Sequence, residues 1–155
     1  MSSQPDNSVL VSIDDAFAGA VDAGWLEGIA LRVLEAEGAA AVELGVVVAD
    51  DETVRGLNRQ YAGEDAATDV LSFSLREGEE FVAAPEAGEA LGEVIISYPT
   101  ALRQARESGR VVDEEVAHLL VHGILHLLGY DHAEREDERR MRSREEELLG
   151  EVGHG

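Results

Sequence analysis

Apolar and polar positions change period several times along this chain, and each change marks an element. Ser8 to Ile13 alternates as a short strand does. Asp14 and Asp15 stand where they can cap a helix running through Trp25, Leu26, Ile29, Leu31 and Leu34, with Gly38 to end it. Residues 41–49 are rich in valine and read as a buried strand. Asp50 and Asp51 open a second helix, with Val54, Leu57 and Tyr61 at helical spacing. Residues 70–75 and 91–97 read as two more strands. Between them, residues 77–90 are acidic and rich in Gly and Ala, which reads as a flexible loop.

Pro99 suits the first turn of a helix that reaches Gly109. Asp113, Glu114 and Glu115 are acidic where a helix dipole favours them. They open a helix whose Val116, Leu119, Leu120, Val121, Ile124, Leu125, Leu127 and Leu128 are apolar on nearly every side, the pattern of a buried helix. A last helix, from about 133 to 149, is highly charged. Glu136–Arg140 and Glu138–Arg142 are favourable pairs one turn apart, and Met141 and Leu148 give only a thin apolar stripe. The order is strand, helix, strand, helix, strand, strand and three helices. It predicts an α+β fold with a mixed, roughly four-stranded sheet packed with helices. At 155 residues, without internal repeats, the chain is expected to form a single domain, with residues 1–7 loose.

Composition narrows the chemistry. Without cysteine there is no disulfide, thiolate zinc site or cysteine nucleophile. No signal-peptide pattern and no membrane-spanning apolar run is visible, so a cytoplasmic protein is expected. There are 33 acidic residues against 12 basic ones, all arginine, for a formal charge of −21. That charge opposes binding of nucleic acid by bulk electrostatics. Contact with RNA would have to be local, through a metal and a few arginines. A salt-rich cytoplasm, which screens self-repulsion, would explain the acidity.

Against this background the histidines stand out. Of five in the chain, four fall between positions 118 and 132. His122, His126 and His132 lie at offsets 0, +4 and +10, with Gly129 at +7. Histidines four apart share one helix face. A left-handed Gly129 would end the helix and let the chain return His132 to the same ion. Three imidazoles leave the fourth tetrahedral position of a zinc ion for water, the layout of a catalytic site. The spacing is that of the zincin pattern H-E-x-x-H-x-x-G-x-x-H, but Gly123 stands where those peptidases carry their glutamate base. His118 lies on the ligand face one turn earlier and is expected behind the metal ligands or in the core. Asp131 is a candidate to orient a ligand histidine or to cap the turn. Tyr130 is expected to pack, and His154 to be solvated.

His118-Leu-Leu-Val-His122-Gly-Ile-Leu-His126-Leu-Leu-Gly-Tyr-Asp-His132 resembles the signature of the YbeY family. Leu57-Asn58 with Tyr61, Thr68-Asp69-Val70-Leu71-Ser72-Phe73 and Leu91-Gly92-Glu93-Val94-Ile95-Ile96-Ser97 resemble further family segments, in order. The resemblance covers roughly residues 8–150. It implies an α+β zinc-dependent endoribonuclease for single-stranded RNA, one zinc per chain and no organic cofactor. It also implies maturation of the 3′ end of 16S rRNA, ribosome quality control, and rRNA with the small ribosomal subunit as partners. By motif match His122, His126 and His132 would be the ligands, with Arg59, Thr68 and Ser72 as candidate substrate contacts. Where many family members have an arginine after the tyrosine, this chain has Ala62, and Arg59 sits one turn earlier. Two other classes are open: a metallopeptidase, which Gly123 disfavours, and a ribosome-assembly factor whose zinc only holds the fold.

Overall fold

Valine-rich runs, which favour the pleated, half-buried environment of a sheet, supply the centre of this structure. The computed structural model describes residues 7–62, 69–74, 89–128 and 135–152. Four strands, β1 (Ser8–Ile13), β2 (Val42–Ala49), β3 (Val70–Ser74) and β4 (Glu89–Ser97), form one sheet in the order β1-β2-β4-β3. β1 and β2 pair in parallel, as do β2 and β4, while β3 runs antiparallel along the far edge of β4. The fold is α+β with a mixed sheet, as the order of elements predicts. The expected loose segment is corrected at its last residue. Asn7 donates to the Ala39 carbonyl at 3.0 Å and accepts from the Val42 amide at 3.1 Å, so it ties the start of β1 to β2.

Among the described residues, five helices cover the sheet: α1 (Ala23–Ala36), α2 (Asp51–Ala62), α3 (Tyr98–Ser108), α4 (Val112–Leu127) and α5 (Arg135–Val152). Asp14 caps only a 3-10 turn over Asp15–Phe17. The first α-helix starts later than expected because Asp22, whose carboxylate accepts from the amides of Gly24 and Trp25, is its cap. Asp50 caps α2 by accepting from the Thr53 amide at 2.7 Å. β4 begins two residues before the expected Leu91. Glu89 and Ala90 pair with Val42 and Glu43, and Leu91 is an extra residue before Leu44 meets Gly92. Gly92, at φ 154°, is held in this bulge, where a Cβ would lie 2.3 Å from the Phe73 carbonyl oxygen.

Alternation along the strands divides the interior in two. Leu44, Val46, Val48, Val94 and Ile96 face the larger core, with α1 and α4. Ala49, Ile95, Leu71 and Phe73 face the other way and meet Val54 and Leu57 of α2. Ten of the sixteen residues of α4 are buried, among them Val116, Leu120, Ile124 and Leu125. α5 lies against α4, with Met141 and Leu148 buried. Among the described residues no helix is long and apolar enough to cross a membrane.

Candidate functional site

Beyond its acidic first turn, α4 presents one polar line in an otherwise apolar surface: His118, His122 and His126, with Glu115 at its start, spaced three or four residues apart. The rest of the helix is fixed by contact with the sheet, which orients this line. The closest contact is at Gly123, where a Cβ would sit 2.7 Å from Val94 Cγ1 and 3.1 Å from Ser72 Oγ. The Ser72 hydroxyl donates to the Gly123 carbonyl at 3.1 Å. Position 123 therefore points into the sheet. A glutamate could not fit there without displacing α4. This is a physical reason for the missing peptidase base, beyond the sequence difference itself.

His122 is partly exposed and His126 exposed, one turn apart. Across from them α5 contributes Glu145, which is only 7% exposed. Its Oε2 lies 2.5 Å from His122 Nδ1, and its Oε1 lies 3.4 Å from His118 Nε2. An ionised carboxylate only accepts, so each imidazole donates. The rings of His118 and His122 stand with centroids 6.4 Å apart and planes at 65°. Behind them, His118 Nδ1 is 4.0 Å from Glu115 Oε2, and Glu115 Oε1 is 3.6 Å from Arg110 Nη1.

These contacts set the charges. Burial pushes the Glu145 carboxyl up, but the hydrogen bonds and charges of His118 and His122 outweigh it and hold it at about 2. His118 is raised above its ordinary value, first by its hydrogen bond to Glu145, against the effect of burial. The charges of Glu145 and Glu115 add to the rise, and Arg110 opposes it. His118, expected behind the metal ligands or in the core, lies half-buried between two carboxylates.

Other expected site residues separate. Ser72 is where β3 meets α4, and its proton goes to the helix backbone. Arg59 stands exposed in the last turn of α2, on the helix covering the sheet face opposite α4. Thr68, Gly129, Tyr130, Asp131, His132 and His154 lie outside the described residues. Among the described residues no group of three or more His, Cys, Asp or Glu side chains is arranged to hold a metal ion. Glu145 and Glu115 are the site residues that reading the sequence missed. Glu145 falls four after Met141 and three before Leu148, in the middle of the apolar stripe of α5. That placement was the available signal.

Comparison with known proteins agrees with this architecture. The family model described as Endoribonuclease YbeY matches residues 20–153. The Endoribonuclease YbeY of Desulforamulus reducens is 49% identical over 129 residues, 83% of this chain and 84% of that protein. Its counterpart in Pelotomaculum thermopropionicum is 48% identical over 141 residues, 90% of this chain and 89% of that protein. Among solved structures, the solution structure of TM1509 from Thermotoga maritima superposes with a TM-score of 0.59 at 27% identity. It covers 92% of this chain and 90% of that one.

Proposed function

The chain belongs to the YbeY endoribonuclease family, and from that premise we propose that it is a zinc-dependent endoribonuclease for single-stranded RNA. Its substrate on this reading is rRNA of the small ribosomal subunit, matured at the 16S 3′ end and checked for quality, in the cytoplasm. The observation that carries the metal reading is the Glu145–His122 contact. With Nδ1 bound to the carboxylate, the nitrogen of His122 that would hold a metal is Nε2, and His126 follows one turn along the same face. An imidazole oriented by a carboxylate is donor chemistry that zinc takes. The residues that would hold it are His122, His126 and His132.

When bound, zinc supplies Lewis acidity towards a phosphoryl oxygen and towards water. The chain's own groups do the rest. His122 and His126 orient the centre from a helix whose packing leaves it little freedom. Glu145 fixes one ring. Gly123 offers no base, which bars the peptidase route more than the RNA route, because RNA carries a 2′-hydroxyl nucleophile beside each phosphodiester.

The formal charge of −21 and Ala62 favour a second reading, a ribosome-assembly factor whose zinc only holds the fold. The apolar packing of α4 weighs against it, because ten residues of that helix are buried against the sheet and the neighbouring helices. One experiment separates the readings: cleavage of rRNA by zinc-loaded, metal-stripped and His126→Ala protein, with circular dichroism on each. His126 is exposed, so its loss should change stability by no more than about 0.5 kcal/mol. Cleavage should vanish in the last two while helicity stays. Unfolding of the stripped protein would favour the assembly factor, and full activity in His126→Ala would sink the ligand assignment.

A further inference from the structure

Among the described helices α5 is the most polar, yet it turns a carboxylate inward. Met141 and Leu148 are 1% and 0% exposed, and Glu145 between them is 7% exposed. Removing a carboxylate from water is costly unless hydrogen bonds and opposite charge replace the lost hydration. A third apolar residue at 145 would complete the stripe at no such cost. The position of the charge therefore needs a reason, and its partners give one. Each oxygen of Glu145 meets a different imidazole of α4, His122 at 2.5 Å and His118 at 3.4 Å.

We propose that Glu145 is the positioning residue of the metal centre: it fixes the Nδ1 proton and the ring plane of His122, and His118 fixes the carboxylate by holding its other oxygen. This rests on the metal reading above. A neutral imidazole carries one proton on either nitrogen, and only the bare nitrogen binds a metal. Accepting from Nδ1 selects the tautomer with a bare Nε2 and raises its basicity. His118 restrains the carboxylate from the opposite side, so Glu145 cannot turn away from His122 without losing a second hydrogen bond. α5 is thereby part of the site's machinery and more than a cover for α4.

The competing explanation is that the pair merely docks α5. A second contact does dock it: Arg144 donates through Nε to Glu37, at the end of α1, and through Nη2 to the Ala36 carbonyl at 3.3 Å. Arg144→Ala is therefore the control that loosens the helix without touching an imidazole. Zinc affinity would be measured by competition with a chromophoric chelator in the full-length wild type, Glu145→Gln, Glu145→Ala and Arg144→Ala. The protonated nitrogen of His122 would be read by nitrogen-15 NMR on the metal-stripped forms.

Glu145→Ala should weaken zinc binding about 10- to 100-fold and lose the fixed Nδ1–H signal. Glu145→Gln, which still accepts but carries no charge, should fall between it and wild type. Arg144→Ala should match wild type in both. If Glu145→Ala does not fold, Glu145→Gln decides, since it keeps the shape. Wild-type zinc affinity in the folded Glu145 variants overturns the proposal. So does an equal loss in Arg144→Ala. A wild-type protein that binds no zinc overturns the metal reading itself, and the NMR signal then reports whether the Glu145–His122 bond exists apart from it.

Discussion

At the edge where α2 meets α3, Asp51 gathers the hydroxyls of Ser97 and Thr100 and the guanidinium of Arg103. Between α4 and α5, Glu145 gathers two imidazoles. Both carboxylates tie one helix to another, but their donors differ in kind. Hydroxyls and a guanidinium keep their protons across the physiological range, so the Asp51 network has one state and serves architecture. Imidazoles exchange donor for ligand within that range. The network around Glu145 is also less complete: among the described residues Glu115 Oε1 and His118 Nδ1 are buried without a hydrogen-bond partner. The difference separates a polar cluster that holds a fold from one that can serve a reaction.

The contrast breaks most sharply at Gly123, which supports only the imidazole side. A methyl group there would overlap Val94 Cγ1 and crowd Ser72 Oγ. Gly123→Ala should cost about 1–3 kcal/mol through overpacking, visible as a lower urea midpoint, and should weaken zinc binding as α4 lifts. The Asp51 network should be unaffected. Wild-type stability in this variant would mean that α4 is less tightly seated than the distances require.

A smaller effect separates the two networks by pH in metal-stripped protein. The Asp51 carboxyl is held below its ordinary 3.8, chiefly by the Ser97 hydroxyl, with burial opposing and Thr100 and Arg103 adding. Its contribution is complete above that value and disappears as pH falls through the lower folded one. Glu145 behaves the same way between 4.5 and about 2. His118 is raised above 6.5, so its contribution is complete below 6.5 and is lost as pH rises through the folded value. The melting-temperature gap between wild type and Asp51→Asn should thus be flat from pH 5 to 9, while that for His118→Gln should shrink on the alkaline side. Parallel curves would remove the distinction.

Salt should change the contrast least. Potassium chloride from 0.1 to 1 M shortens the Debye length from about 10 to about 3 Å. With a formal charge of −21, overall stability should rise across that range and RNA cleavage should persist or improve. The partly buried networks are screened much less, so the gaps between wild type and their variants should move by only a few tenths of a kcal/mol. A monotonic loss of stability and activity with salt would return the acidity to an uninformative solvated surface.

Strands and helices were legible because their signals are local. The valines of β2, the apolar periodicity of α4, and the Pro99 and Gly109 boundaries of α3 were read correctly. Errors arose where tertiary pairing decides. Glu89 and Ala90 carry no strand signal and join β4 because Val42 and Glu43 bind them. Asp14 and Asp22 are both plausible caps, and only the second is followed by a continuous buried face, Leu26, Ile29, Val33 and Leu34. At the site, the spacing of His122 and His126 was visible on one helix. Glu145 was not, because a carboxylate in a charged helix looks solvated until the histidines of another helix are placed against it.

The order of the chain gives that arrangement a consequence in time. Synthesis proceeds from the N-terminus, so β1 to β4 and the histidines of α4 exist before α5 does. A growing chain that has passed residue 128 contains all four strand segments and both helix-borne imidazoles, but it lacks the carboxylate that Glu145 supplies. If Glu145 acts as proposed, the metal centre stays poorly assembled until α5 has been made.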